Sequence, residues 1–291
     1  MILADTCLAA IQLLQELSIW THTRLSLAQA VHSPYGEESI TDHLLVELAT
    51  RSGGMLKVRS LTKDDEADYG ADWDWFIGSP AMGWLRFAVQ AKKLHLKVAR
   101  YTSIFYPPSA RKNTKRTVAR GGQIDLLGAC GKTWRALPIY CLYNWGDLST
   151  EGIDCGVRPK AELGCTIASI RPIRSHCRPN YSPAFENLHV GEPTHAWHCW
   201  IPRVFHTLVA PEFAVAGDDG HWELDAWQPN RADCVQHASS EGYSFFHTEI
   251  PHSIRGLLHG DDAELIRAYG DGDSVPRAIA VLDLSPFDTR D

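Results

Sequence analysis

The segment GADWDWFIGSPAMGWLRFAVQAKKL, Gly70 to Leu94, decides how this chain is read. It alternates two aspartates with two tryptophans, is interrupted by Gly and Pro, and resumes as an apolar run ending in Gln90-Ala91-Lys92. The pattern predicts two strands, Asp72 to Ile77 and Trp84 to Ala91. Residues two apart in a strand face the same way, so Asp72 and Asp74 share one face while Trp73 and Trp75 share the other. On the second strand Gln90 and Lys92 share a face and Ala91 points to the opposite side. A hairpin would bring two carboxylates, an amide and an ammonium group to one point. Neighbouring carboxylates on a mostly buried strand are costly unless neutralised, and a divalent cation would neutralise them. The same residues also fit an exposed edge strand with the tryptophans inward, and Lys92 with Lys93 fits a strand that simply ends in solvent.

Working outward, the clearest helix signal lies upstream. Ser33 to Gly36 form a turn-rich lead-in, and Glu37 and Glu38 suit a helix N-terminus through the macrodipole. Ile40, Leu44, Leu45 and Leu48 make the apolar stripe, and Gly53-Gly54 closes it. Before it, DTCLAAIQLLQELSIWTHTRLSLAQAVH has apolar residues at helical spacing and reads as one or two helices. Downstream, QIDLLGAC reads as a helix and Ala136 to Asn144, ALPIYCLYN, as a short apolar strand. Helix, strand, strand, helix, strand is an α/β order. Beyond Asn144 the pattern weakens: LGCTIASIRPI reads as a strand, FENLHV and LVAPEFAVA are ambiguous, and DDAELIRAYG reads as a late helix. The polar stretch Asp147 to Lys160 is the best boundary, giving a core at residues 1–146 and an extension at 147–291; one elaborated domain is the alternative.

Composition narrows the class. A chain of 291 residues with 44% hydrophobic content can bury a substantial core. Its apolar runs are broken well before the roughly 18 residues of a membrane span, and the N-terminal segment lacks a basic n-region, so a cytoplasmic protein is expected. The eight cysteines are far apart in a chain too large to need stapling, which predicts reduced thiols. Net charge is −7, but unevenly spread. No acid falls between Ala91 and Ile124, where Lys92, Lys93, Lys97, Arg100, Arg111, Lys112, Lys115, Arg116 and Arg120 lie. Such a run can track phosphates, or be a solvated polar loop.

The groups predicted to meet around Asp72 have complementary uses in phosphodiester hydrolysis. Carboxylate and amide oxygens are hard ligands suited to Mg²⁺, and a metal-bound water becomes a nucleophile at neutral pH. A lysine can orient that water and stabilise developing negative charge. A further carboxylate from the preceding helix, Glu38 or Glu37, would complete the set. Glu38, Gly70-x-Asp72 and Gln90-x-Lys92, with the string GADWDW…QAKKL followed by QIDLL and PIYCLYN, resemble the PD-(D/E)XK nuclease superfamily. The likeness is to its QxK variant, as in Mrr-type restriction endonucleases and related bacterial defence effectors. It spans roughly Tyr35 to Asn144.

The resemblance implies a restriction-endonuclease-like mixed sheet flanked by helices and a Mg²⁺- or Mn²⁺-dependent nuclease, acting on double-stranded DNA, with a role in bacterial anti-phage defence. It implies metal ligation by Glu38, Asp72 and Gln90 and catalysis by Lys92. Gln90 stands where most members carry Asp or Glu, and Asp74 is expected to restore the missing charge. Lys93, Lys97, Arg111, Lys112, Lys115 and Arg116 are the expected phosphate contacts, and a homodimer is one expected assembly. A catalytically silent nucleic-acid- or partner-binding module on the same fold is the rival reading. Gln123 either reaches the site or is a surface glutamine.

Other chemistries find little support. Cys155, Cys165, Cys177, His176, His195, His198 and Cys199 are zinc-ligand types without the tight CxxC or HxxxH spacing, so buried thiols are the expectation. The sequence holds no GxGxxG after a strand, no GxxxxGK[ST] and no GxSxG. The ten tryptophans read as core anchors before base-stacking platforms.

Overall fold

The computed structural model describes residues 2–61, 70–95, 97–102, 104, 122–148, 160–176, 182–189, 194–201, 204, 246–261, 263, 265 and 276–285. The chain opens with one long helix, α1 (Ile2–Ala30), then α2 (Glu37–Arg51) and strand β1 (Leu56–Ser60). The decisive segment is a hairpin, β2 (Trp73–Ser79) and β3 (Gly83–His95), followed by the short β4 (Arg100–Tyr101). Helix α3 (Gln123–Trp134) leads into β5 (Leu137–Tyr143). The second half adds a 3₁₀ turn (Lys160–Gly164), β6 (Cys165–Ser169), α4 (Ile170–His176), α5 (Phe185–His189) and β7 (Thr194–Ala196). It ends with β8 (Phe246–His247), α6 (His252–Leu258) and β9 (Ala278–Asp283).

These strands form one open mixed sheet in the order β1-β9-β2-β3-β5-β6-β7, with β4 and β8 also pairing to β3. β2 and β3 are antiparallel, from Trp73↔Val89 to Ser79↔Gly83, as a hairpin requires. β5 lies parallel to β3, so the chain must cross over between them, and α3 makes that connection. The α/β expectation holds, and so do the helix at Glu37, the hairpin, the helix at QIDLL and the strand at PIYCLY. LGCTIASIRPI splits into a strand and a helix, and FENLH is helical. LVAPEFAVA lies outside the described residues, as does most of DDAELIRAYG.

Alternation along β2 and β9 sorts the core into two layers. Trp75, Ala280 and Leu282 belong to the larger cluster with Leu13, Leu14, Leu44 and Leu48 of α1 and α2. Their sequence neighbours Phe76, Ile279 and Val281 join Trp84, Ile254 and Leu257 in a second cluster that includes α6. The sheet therefore has helices on both faces, which is why every residue of β2 is buried. On the first face Trp75 stacks 5.7 Å from Trp197 and lies 5.3 Å from Trp200, so these tryptophans are core anchors.

The expected division at residue 147 is not how the sheet is built. β6 and β7 extend the β5 edge, and β9, from the far end of the sequence, inserts between β1 and β2 with parallel pairing from Trp73↔Ala278 to Gly78↔Asp283. Adjacency in sequence is a poor guide here: β1 and β2 are successive strands among the described residues, yet β9 lies between them in the sheet.

A buried polar chain ties the later elements to β5. Tyr101 donates its hydroxyl to Asn144 Oδ1, and Asn144 Nδ2 donates to Leu163 O (2.7 Å) and Thr166 Oγ1 (3.0 Å). Thr166 in turn contacts His189 Nε2 at 2.9 Å, and His189 Nδ1 lies 2.9 Å from Phe185 O. Every donor finds an acceptor if His189 is neutral with its proton on Nδ1. Burial lowers its pKa to about 4, against a smaller upward effect of the Phe185 carbonyl. A depressed histidine pKa contributes stability above about pH 6.5, lost as pH falls toward the folded value, and this shift corresponds to about 3 kcal/mol. The melting temperature should accordingly fall between pH 6.5 and 4 in the parent and fall less in His189→Gln; parallel curves for the two proteins would contradict the assignment.

Candidate active site

The left-handed Gly70 (φ 80°) starts the site. A Cβ there would sit 2.9 Å from both the carbonyl carbon and Cβ of Leu126 in α3, so only glycine lets the chain pass this close to the helix. Asp72 then lies at the mouth of β2, its N–H donating to Val89 O at 2.8 Å and its carbonyl accepting from Arg277 N at 2.9 Å. Its Oδ2 accepts from Gln90 Nε2 and from the Ala91 backbone N–H, each at 2.6 Å. Gln90 Oε1 accepts from Gln123 Nε2 at 2.8 Å. Gln123 is the first residue of α3, so the crossover helix delivers it to the end of β3, and of its two expected positions the site is the one it occupies.

The carboxylate from α2 is Glu37. Its Oε1 lies 3.2 Å from Lys92 Nζ and its Oε2 accepts from the Lys93 N–H at 2.7 Å. One turn further along, Thr41 Oγ1 and the Tyr143 hydroxyl on β5 are 2.8 Å apart, which fixes that helix face against the sheet. Lys92 is 5% exposed and Gln90 2%, whereas Asp72 and Glu37 remain partly accessible and form the open side. Burial raises the Glu37 pKa; Lys92 opposes this and the Asp72 charge adds to it. Two carboxylates thus feel each other across a lysine, and one of them holds a proton more readily than usual.

Two expected members stand elsewhere. Glu38 is 67% exposed and lies 3.7 Å from Arg277 Nη1, on a face of α2 turned from Lys92; a shift of one residue rotates a helix position by about 100°. Asp74 does share the strand face of Asp72, but its charge is answered by protein. Arg86 reaches it through Nε at 2.8 Å and Nη2 at 2.5 Å, with both side chains buried. The guanidinium also donates to Trp134 O at the end of α3 and lies 5.0 Å from the Phe76 ring centre. Asp74 is a structural residue. The signal for this was present: Arg86 alternates with Ala88, Gln90 and Lys92 on one face of β3, one step diagonal from Asp74.

Of the expected phosphate contacts, Lys97 is exposed in the turn after β3. The Lys93 ammonium donates to Tyr35 O at 2.6 Å, and burial lowers its pKa while Glu37 raises it. Arg111, Lys112, Lys115 and Arg116 lie outside the described residues, as do Cys155 and Cys177. Cys141 and Cys165 are buried thiols, and Cys165 Sγ sits 3.3 Å from Thr21 Oγ1. Among the described residues no three His, Cys, Asp or Glu side chains gather as a metal cage. No described helix is long and apolar enough to cross a membrane.

No curated protein and no solved structure matches this chain. The chain belongs to the family of unknown function DUF6615, whose model matches residues 10–283.

Proposed function

We propose that this DUF6615 member is a divalent-metal-dependent nuclease acting on DNA. The observation that carries the reading is the convergence of Asp72, Gln90, Lys92 and Glu37 from two strands and one helix end, linked by hydrogen bonds and one ion pair. The donor set fits a hard cation, because two mutually repelling carboxylates at an accessible mouth are what Mg²⁺ or Mn²⁺ neutralises while keeping several of its own waters. Asp72 and Glu37 would hold it. Gln90 now turns its NH₂ to Asp72; rotating the Gln90 and Gln123 amides together would present Oε1 instead, a pairing of acceptors that a bound cation would relieve. When bound, such a cation supplies an acidified water and spreads the charge of the phosphoryl transition state.

The chain's own residues do the rest. Lys92, held in a nearly dry position, directs a fixed positive charge toward the mouth, where the phosphate gains negative charge during attack. Glu37 orients that ammonium and sets its reach. Lys97, exposed in the turn after β3, supports contact with the nucleic-acid backbone. Cys141 and Cys165, buried as thiols, agree with a reducing compartment, and we assign the protein to the cytoplasm on that ground.

One observation favours a silent binding module: the Lys92 ammonium and the Gln90 amide already have protein partners. Incubation with supercoiled plasmid separates the two. Nicked or linear DNA should form with Mg²⁺ or Mn²⁺ and not with chelator. Intact plasmid under all three conditions, with the protein still shifting DNA in a gel, would establish the binding module.

A further inference from the structure

Arg277 lies immediately before β9, in the part of the chain that sequence order sets apart from the site. Its backbone N–H donates to the Asp72 carbonyl at 2.9 Å, and its own carbonyl accepts from Leu61 N at 2.7 Å. Its side chain, 7% exposed, reaches the first turns of α2. There Nη2 meets both carboxylate oxygens of Asp42 at 2.5 Å, 235 residues earlier in the chain, and Nη1 lies 3.7 Å from Glu38. One residue therefore grips the backbone of one candidate ligand and the helix that carries the other.

Helix α2 needs that grip. Its N-cap is Gly36, with no side-chain cap hydrogen bond, so its first turn lacks the local anchor that a Ser, Thr, Asp or Asn would provide. Two faces hold it instead. Residues 37 and 41 face the site and Tyr143, while residues 38 and 42, one turn apart on an adjacent face, meet Arg277. With Nη2 on Asp42 and Nη1 toward Glu38, the guanidinium addresses two carboxylates at once, which the single ammonium of a lysine cannot reproduce in full.

We infer that Arg277 is a positioning residue for the cation site, acting through Asp42 and Glu38 to fix Glu37 opposite Asp72. This rests on the nuclease reading above. Residues that orient metal ligands typically contribute about 10- to 100-fold in metal affinity.

The test is Mn²⁺ titration followed by the loss of the free-ion electron paramagnetic resonance signal, on the full chain, with Arg277→Met, Arg277→Lys, Asp42→Asn and Asp72→Asn. Asp42→Asn protects the test against a folding failure, because the Asp42 side chain is 56% exposed. The expected result is affinity lowered about tenfold or more in Arg277→Met and Asp42→Asn, with partial rescue in Arg277→Lys. Plasmid cleavage by these three should recover toward the parent rate once Mn²⁺ is saturating, a split that mere loss of stability would not produce. If Arg277→Met and Asp42→Asn bind Mn²⁺ as tightly as the parent while Asp72→Asn does not, the positioning role is overturned and the nuclease reading stands. If the parent itself takes up no Mn²⁺, the metal reading falls, and the positioning role with it.

Discussion

Lys92→Ala is expected to abolish plasmid cleavage, by about 10²–10⁴-fold, while leaving cation uptake intact. The ion pair gives this expectation its sign. Lys92 lowers the Glu37 pKa and Asp72 raises it. Without the lysine, Glu37 and Asp72 repel each other unscreened, so the Glu37 titration should move up and a cation should be bound at least as well near neutral pH. Asp72→Asn should do the reverse on both counts, with the Glu37 titration moving down and cation uptake falling because a ligand charge is gone. Carbon-13 NMR of the Glu37 carboxyl against pH, with Mn²⁺ binding measured on the same variants, reads all four directions. A Lys92→Ala protein that cuts at the parent rate would remove the lysine from the chemistry. Opposite signs for the two titration shifts are the harder result to reproduce by accident, since general destabilisation would move both variants the same way.

The second large effect concerns stability. Asp74→Leu leaves the Arg86 guanidinium buried without its counter-charge, and breaking a buried pair from one side costs about 3–5 kcal/mol. For a chain of this size that is a melting temperature lower by roughly 10 °C. The double variant Asp74→Leu/Arg86→Met removes both charges and should recover most of the loss. It will not recover all of it, because Arg86 also bonds to Trp134 O and packs over Phe76 and Trp134. Urea denaturation of the two single variants and the double gives the coupling energy directly. The double variant should still bind Mn²⁺; a loss of cation affinity in that protein at full folding would return Asp74 to the ligand set.

The sequence pattern made the hairpin and its polar end legible because alternation is a local rule, and Asp72, Gln90 and Lys92 obey it. The helix at Glu37 was legible for the same kind of reason, from its apolar stripe and terminal glycines. What local rules left open was rotation and neutralisation. Choosing Glu37 over Glu38 needs the angle at which α2 meets β3, which is set by Thr41 on Tyr143 and by Arg277 on Asp42. Asking which positive charge answers Asp74 needs the hairpin register, because its partner, Arg86, lies one step diagonal on the neighbouring strand and takes the place that a cation would otherwise fill at Asp74 alone. The place of β9 was beyond reach, since a buried apolar run such as AIAVLD fits any central position in a sheet.

The position of β9 also bears on when this molecule becomes complete. β1 and β2 are made early, but their partner on the shared side, together with Arg277, is added roughly 200 residues later, about 10–40 s at ordinary synthesis rates of ~5–20 residues per second. During that interval β2 can close its hairpin with β3, yet neither the Asp72 carbonyl nor the Asp42 side of α2 has its final partner. Closure of the sheet is a contact of very high sequence separation and so a late folding event. A chain not yet made as far as Arg277, or cut short before it, therefore carries Asp72, Gln90 and Lys92 without the contacts that Arg277 makes to Asp42 and to the Asp72 carbonyl. The arrangement around Asp72 is finished only once Arg277 and β9 have left the ribosome and closed on β1 and β2.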